Sequence, residues 1–98
     1  MKFFMVEGTL QHIEQMNEKV MIEHKSYTQK EMDAGNILMA GLKEDMSGGL
    51  FIMKSDSLAH VQTYLENEPF YTYGIQTYRI IEFSPHFLTQ NLAQWLEK

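Results

Sequence analysis

His24 is the side chain in this sequence best suited to chemistry. An imidazole titrates near neutral pH, so it can take a proton from carbon or oxygen and give it back. It falls on an apolar stripe formed by Ile13, Met16, Val20, Met21, Tyr27 and Met32, at three-and-four spacing. A helix with that stripe aims His24 at whatever it packs against. Two roles suit it: a proton-transfer base in a cleft, or a core histidine satisfied by one hydrogen bond. Tyr27, three residues on, borders the same face. It either donates a hydrogen bond to a substrate oxygen or packs as an amphipathic side chain. Asp33 is a poor partner for His24, because it sits about two and a half turns further along the same helix and faces nearly the opposite way. His12, His60 and His86 share no helical face with His24 or with one another, and there is no cysteine. No metal is expected, since metal-ligand spacing is missing. Ser47-Gly48-Gly49 lacks the lysine and the strand-to-helix setting of a phosphate loop and reads as turn chemistry. No G-x-S-x-G nucleophile elbow occurs. The eight methionines fit an adaptable core better than a copper site. No cofactor is expected.

The elements that must position these residues follow from periodicity and punctuation. Residues 2 to 7 are β-prone and stop at Gly8. A long helix is predicted from Gln11 to Ala34, ended by Gly35-Asn36, which take a left-handed cap cheaply. Ile37 to Ala40 and Leu50 to Met53 are short apolar runs bounded by glycines, predicted as a hairpin around the polar turn Lys43 to Gly49. Ser55-Asp56-Ser57 offers caps for a second helix with the stripe Leu58, Val61 and Leu65, ending before Pro69. Residues 70 to 74 read as an aromatic loop, and Ile75 to Phe83 as the last strand. Ser84-Pro85 is predicted to open a third helix with Leu88, Leu92, Trp95 and Leu96 on one face. The order is β-α-β-β-α-β plus a C-terminal helix. That is an α+β, ferredoxin-like arrangement with an antiparallel sheet.

Composition narrows the function classes. The chain has 98 residues, one domain's worth, with 13 acidic and 8 basic side chains and a net charge of −5. The basic residues are scattered, which argues against nucleic acid. No apolar run approaches the 18 or so residues that span a bilayer, so no membrane partner is expected. The first residues meet Glu7 too soon for a signal-peptide core, and a cytoplasmic location is expected.

A domain this small buries only roughly 60–65% of the surface its unfolded chain exposes. Its core usually needs a supplement, and without cysteine the leading one is a partner subunit. The strands point the same way. Successive strand residues face opposite sides, yet Phe3 and Met5, as well as Phe4 and Val6, are apolar. Leu38 and Ala40 against Ile37 and Met39 repeat the pattern, as do Leu50 and Ile52 against Phe51 and Met53. Two helices cover one sheet face of about 15 by 20 Å and leave the other. A homodimer through sheet faces, reinforced by the C-terminal helix, is expected to cover it.

Several pieces of the chain share a frame: His24 on the first helix, Gly35, then Leu38-Met39-Ala40-Gly41 closing the second strand. Gly48-Gly49-Leu50-Phe51-Ile52 opens the third, Ser55-Asp56-Ser57-Leu58 caps the second helix, and Asn67-Glu68-Pro69-Phe70 precedes Gly74. In this frame residues 2 to 83 resemble the YciI (YCII-related) family. The resemblance implies residues 1–83 as a dimeric α/β-barrel domain and residues 84–98 as a C-terminal helical extension. It also implies a cleft with a histidine–carboxylate dyad, placing the histidine at His24 and the carboxylate at Glu68, where the family usually has aspartate. The residues themselves leave Glu68 open as a solvated loop acid.

Two functions remain in view. One is a cofactor-independent enzyme acting on a small ring-derived molecule by isomerisation or elimination. His24 would be base or acid, with Glu68 orienting it and backbone N–H groups near Gly41 receiving an oxyanion. Phe70, Tyr71 and Tyr73 either wall its pocket or serve as dimer contacts. The other is a non-catalytic, ligand-binding or accessory domain in which His24 is structural.

Overall fold

Alternation along the first strand decides the layers. In the computed structural model, which describes residues 1–97, β1 (Lys2–Leu10) buries Phe4, Val6 and Gly8 while Phe3, Met5 and Glu7 stay half-exposed. Helices cover the first set. β1 is central: it pairs antiparallel with β3 (Gly49–Ser55) on one side and β4 (Gln76–Phe83) on the other, and β2 (Ile37–Leu42) pairs with β3. The four-stranded order is β2-β3-β1-β4. The helices α1 (Glu18–Asp33), α2 (Leu58–Glu66) and α3 (Pro69–Thr72) pack on the inner face. The element order is the expected ferredoxin-like β-α-β-β-α-β.

The inner core has two clusters. Phe4, Val6, Ile37, Met53, Val61 and Leu65 form one, and Val20, Phe70 and Ile75 the other. Each such fully buried apolar side chain contributes about 1.5–3 kcal/mol.

Several boundaries differ from the sequence reading. β1 runs to Leu10, whose N–H bonds the Ser47 carbonyl at 2.7 Å, and Gln11 N–H bonds that of Ile75 at 2.6 Å. The first helix therefore starts at Glu18, not Gln11. His12 is left-handed at φ 49°, a 3-10 turn follows at Ile13–Gln15, and Asn17 caps α1 by accepting from Val20 N–H at 3.0 Å. Ile13 and Met16 continued the helical spacing by coincidence, and Asn17 breaks it. Gly35 does end the helix, at φ 83°. The aromatic stretch after Glu68 is a helical turn rather than a loop: Glu68 is its cap and Pro69 its first residue. The same serine-proline logic fails at Ser84-Pro85. No helix forms there, and α4 spans only Leu92–Leu96 behind its own cap, Asn91. The expected four-residue apolar face is thus not assembled, because residues 84–91 have no element to pack on.

The outer sheet face carries an apolar row next to the Glu7–Arg79 and Glu7–Lys43 ion pairs, with one change of detail from the sequence reading. A β-bulge at Leu38 puts Ile37 inside and Met39 outside, where strict alternation placed them together. Met39, Ile52, Met5 and Ile81 then line up across all four strands. The tail does not cover them: Phe87 is 96% exposed, Leu88 81% and Trp95 64%. Among the described residues, no helix is long and apolar enough to cross a membrane.

Candidate functional site

α1 directs His24 by simple periodicity. Val20 is one turn earlier and buried against Phe70 and Ile75, so His24 faces the sheet behind it. Glu68 arrives from the other side of the chain. As the cap of α3 it accepts from Tyr71 N–H at 3.3 Å, and it is 2% exposed. Its Oε1 meets His24 Nδ1 in a hydrogen bond. Phe70 stacks on the imidazole with centroids 3.7 Å apart and planes 4° apart. The ring is thus held at one nitrogen and one face, and Nε2 is the nitrogen left for the neighbouring cavity.

Two side chains from β4 complete the arrangement. The Tyr78 hydroxyl donates to Glu68 Oε2 at 2.6 Å. Gln76 Nε2 donates to the Tyr78 oxygen at 3.0 Å, and Gln76 Oε1 accepts from Gly49 N–H at 2.9 Å. Burial, and then the Glu68 carboxylate beside it, push the Tyr78 hydroxyl well above the usual tyrosine range, so it stays protonated and keeps donating. Burial likewise raises Tyr64. Gly8 makes the room: a Cβ there would collide with the Gln76 side chain.

The cavity is about 600 Å³. Its walls are mainly apolar, among them Leu10, Met16, Met21, Phe51 and Phe70, and His24, Glu68, Gln76, Tyr78, Tyr64, Thr28 and Lys25 supply the polar groups. Apolar walls with a few converging polar groups are the usual form of a small-molecule site. Gly41 sits at the mouth in edge strand β2. Three candidates lie elsewhere. Tyr27 donates to the Tyr64 carbonyl at 2.7 Å and stacks on its ring, so its hydroxyl is committed to α2. Tyr71 and Tyr73 are each 44% exposed, and Tyr73 donates to Glu23 at 3.2 Å. None of the three lines the cavity. Sequence reasoning missed Gln76 and Tyr78. The signal was there: they alternate with Ile80 on the inner face of β4, and a polar residue at an inward position asks for a partner. Among the described residues no cluster of three or more His, Cys, Asp or Glu is placed to hold a metal ion.

The model of the YCII-related domain family matches residues 1–84. The chain belongs to the YCII-related family. Its fold is also that of solved structures in the dimeric α/β-barrel group. A 5-chloro-2-hydroxyhydroquinone dehydrochlorinase from Burkholderia phenoliruptrix AC1100, in complex with 2,5-dihydroxybenzoquinone, superposes with a TM-score of 0.71 at 19% identity. The alignment covers 84% of this chain and 93% of that one. A protein described as an antibiotic biosynthesis monooxygenase gives a TM-score of 0.57 at 10% identity, over 88% of this chain and 99% of that one. At these identities the likeness is one of fold. No curated protein matches this YCII-related chain in sequence.

Proposed function

We propose that this YCII-related domain is a cofactor-independent enzyme that moves a proton on a small ring-derived substrate, with isomerisation or elimination as the outcome. The carrying observation is the His24–Glu68 pair in the wall of an apolar cavity, with Glu68 buried, His24 half-buried and Nε2 available to the cavity. Glu68 accepts from Nδ1, holding the tautomer in which Nε2 is a base, and Phe70 fixes the ring plane. His24 takes a proton from a substrate C–H or O–H and returns it to another atom, or a leaving group departs. The dehydrochlorinase of the same fold was solved with a hydroxylated benzoquinone, which makes chlorinated and hydroxylated quinols the first compounds to try. Chloride release from 5-chloro-2-hydroxyhydroquinone, and binding of 2,5-dihydroxybenzoquinone, test the reading. His24→Ala should lose turnover about a hundredfold or more. Folded protein that neither binds nor turns over any of a panel of such compounds counts against it. Binding without turnover, unaffected by His24→Ala, would favour a ligand-binding domain, a role for which the apolar walls alone suffice.

We further propose that two copies pack their outer sheet faces, with residues 84–98 as an extension that adds to the contact. The apolar row Met39–Ile52–Met5–Ile81 supports this. Light scattering should give twice the 11.5 kDa chain mass, and Ile52→Lys should shift it to a single copy. A wild-type protein of single-chain mass at micromolar concentration refutes the dimer.

A further inference from the structure

We propose that Gln76 and Tyr78 are positioning residues that set the protonation pattern of the His24–Glu68 pair from the backbone of β3. The inference rests on the reading of His24 as the working base. Donor and acceptor chemistry fixes each step from Gly49 as far as Glu68 Oε2. Gly49 N–H can only donate, so Gln76 must present Oε1 to it, at 2.9 Å. The Gln76 amide therefore turns Nε2 toward Tyr78, at 3.0 Å. With its oxygen accepting from Gln76, Tyr78 aims its one proton at Glu68 Oε2, 2.6 Å away. Glu68 Oε2 thus accepts from both the Tyr78 hydroxyl and Tyr71 N–H, which favours the ionised carboxylate. An ionised Glu68 offers Oε1 only as an acceptor, so the bond to His24 Nδ1 takes its proton from the ring, and in the neutral ring Nε2 is then the lone-pair nitrogen. A backbone N–H that cannot reorient thus decides the state of an imidazole four groups away.

The construction is buried where it needs to be. Gln76 is 3% exposed and Glu68 2%. Gln76 also lies over Gly8, where any side chain would displace it. Its amide cannot turn without breaking the bond to Gly49. The other titratable groups near the pair are Lys25 and Tyr27 on α1, Tyr64 on α2 and, acting at longer range on both tyrosines, Glu31. None of them bonds Glu68.

The test reads the imidazole directly and needs no substrate. Nitrogen-15 NMR of the histidine rings should show wild-type His24 as the Nδ1–H tautomer. In Tyr78→Phe, Glu68 has one donor fewer and its charge falls more fully on His24. The midpoint at which the His24 resonances titrate should then move upward, whichever partner carries the added proton. Gln76→Leu should shift the midpoint in the wild-type background and have no further effect in Tyr78→Phe, because its action passes through the Tyr78 hydroxyl. A melting temperature that falls while the His24 titration stays put means a merely structural role and overturns the proposal. So does an additive effect of the two substitutions. If a variant does not fold, the wild-type tautomer decides: an Nε2–H ring refutes it. Failure of the enzyme reading is seen separately, as absent turnover in a protein whose NMR behaves as stated.

Discussion

Replacing Glu68 by glutamine preserves the shape of the side chain and removes its charge. Glu68 accepts from His24 Nδ1, from the Tyr78 hydroxyl and from Tyr71 N–H. A carboxylate offers acceptors only, whereas a carboxamide must turn an NH₂ toward one of these donors. One donor is therefore left facing another donor in a site that is 2% exposed at Glu68. Losing a hydrogen bond to a charged group costs about 1.5–3 kcal/mol. Relief of the buried charge offsets part of that. The net loss should be about 1–2 kcal/mol, which lowers Tm by about 4–16 °C in a domain of this size. The chemical consequence is larger. His24 either turns or moves its proton to Nε2, and in both cases the open base is lost. Turnover of any substrate found should fall about a hundredfold or more. Urea denaturation read by circular dichroism gives the stability change, provided the slope stays constant. Nitrogen-15 spectra give the tautomer. A Glu68→Gln protein with the wild-type midpoint and His24 still Nδ1–H would refute the reasoning, because it would mean the carboxylate neither supports the fold nor holds the ring.

Three further outcomes follow from the same geometry. Asn17→Ala removes the cap that accepts from Val20 N–H, and should cost about 1 kcal/mol in denaturant melts, with helical content otherwise kept. Gly8→Ala places a Cβ against the Gln76 side chain, so it should cost about 1–3 kcal/mol and alter the His24 ring resonances as well, whereas an effect on stability alone would show that Gln76 accommodates it. Tyr64 and Tyr78 are both raised from 10.0 in the fold, first by burial. The unfolded chain sheds these protons as pH passes about 10 while the folded chain keeps them, so their contribution is complete below that pH and declines above it. Urea midpoints from pH 8 to 11 should fall, and less steeply in Tyr78→Phe; equal slopes in the two proteins contradict this.

Periodicity and punctuation carried much of this protein. The alternation of Phe3 to Val6, the helical spacing through Val20 and His24, the Gly35 stop and the Ser57 cap are local signals. Local signals suffice for the element order and for the face on which His24 lies. They also exposed the apolar residues on the outer sheet face, since strand alternation needs no knowledge of neighbours. Tertiary structure decided what meets His24. Glu68 is 44 residues away, and its direction depends on a helical turn that begins at Pro69 within what read as a loop. Gln76 and Tyr78 reach the pair only because β4 lies beside β1 with Gly8 opposite Tyr78. The Leu38 bulge and the unpacked tail were likewise invisible, because strand register and helix docking are set by the partners an element finds and not by the residues it contains.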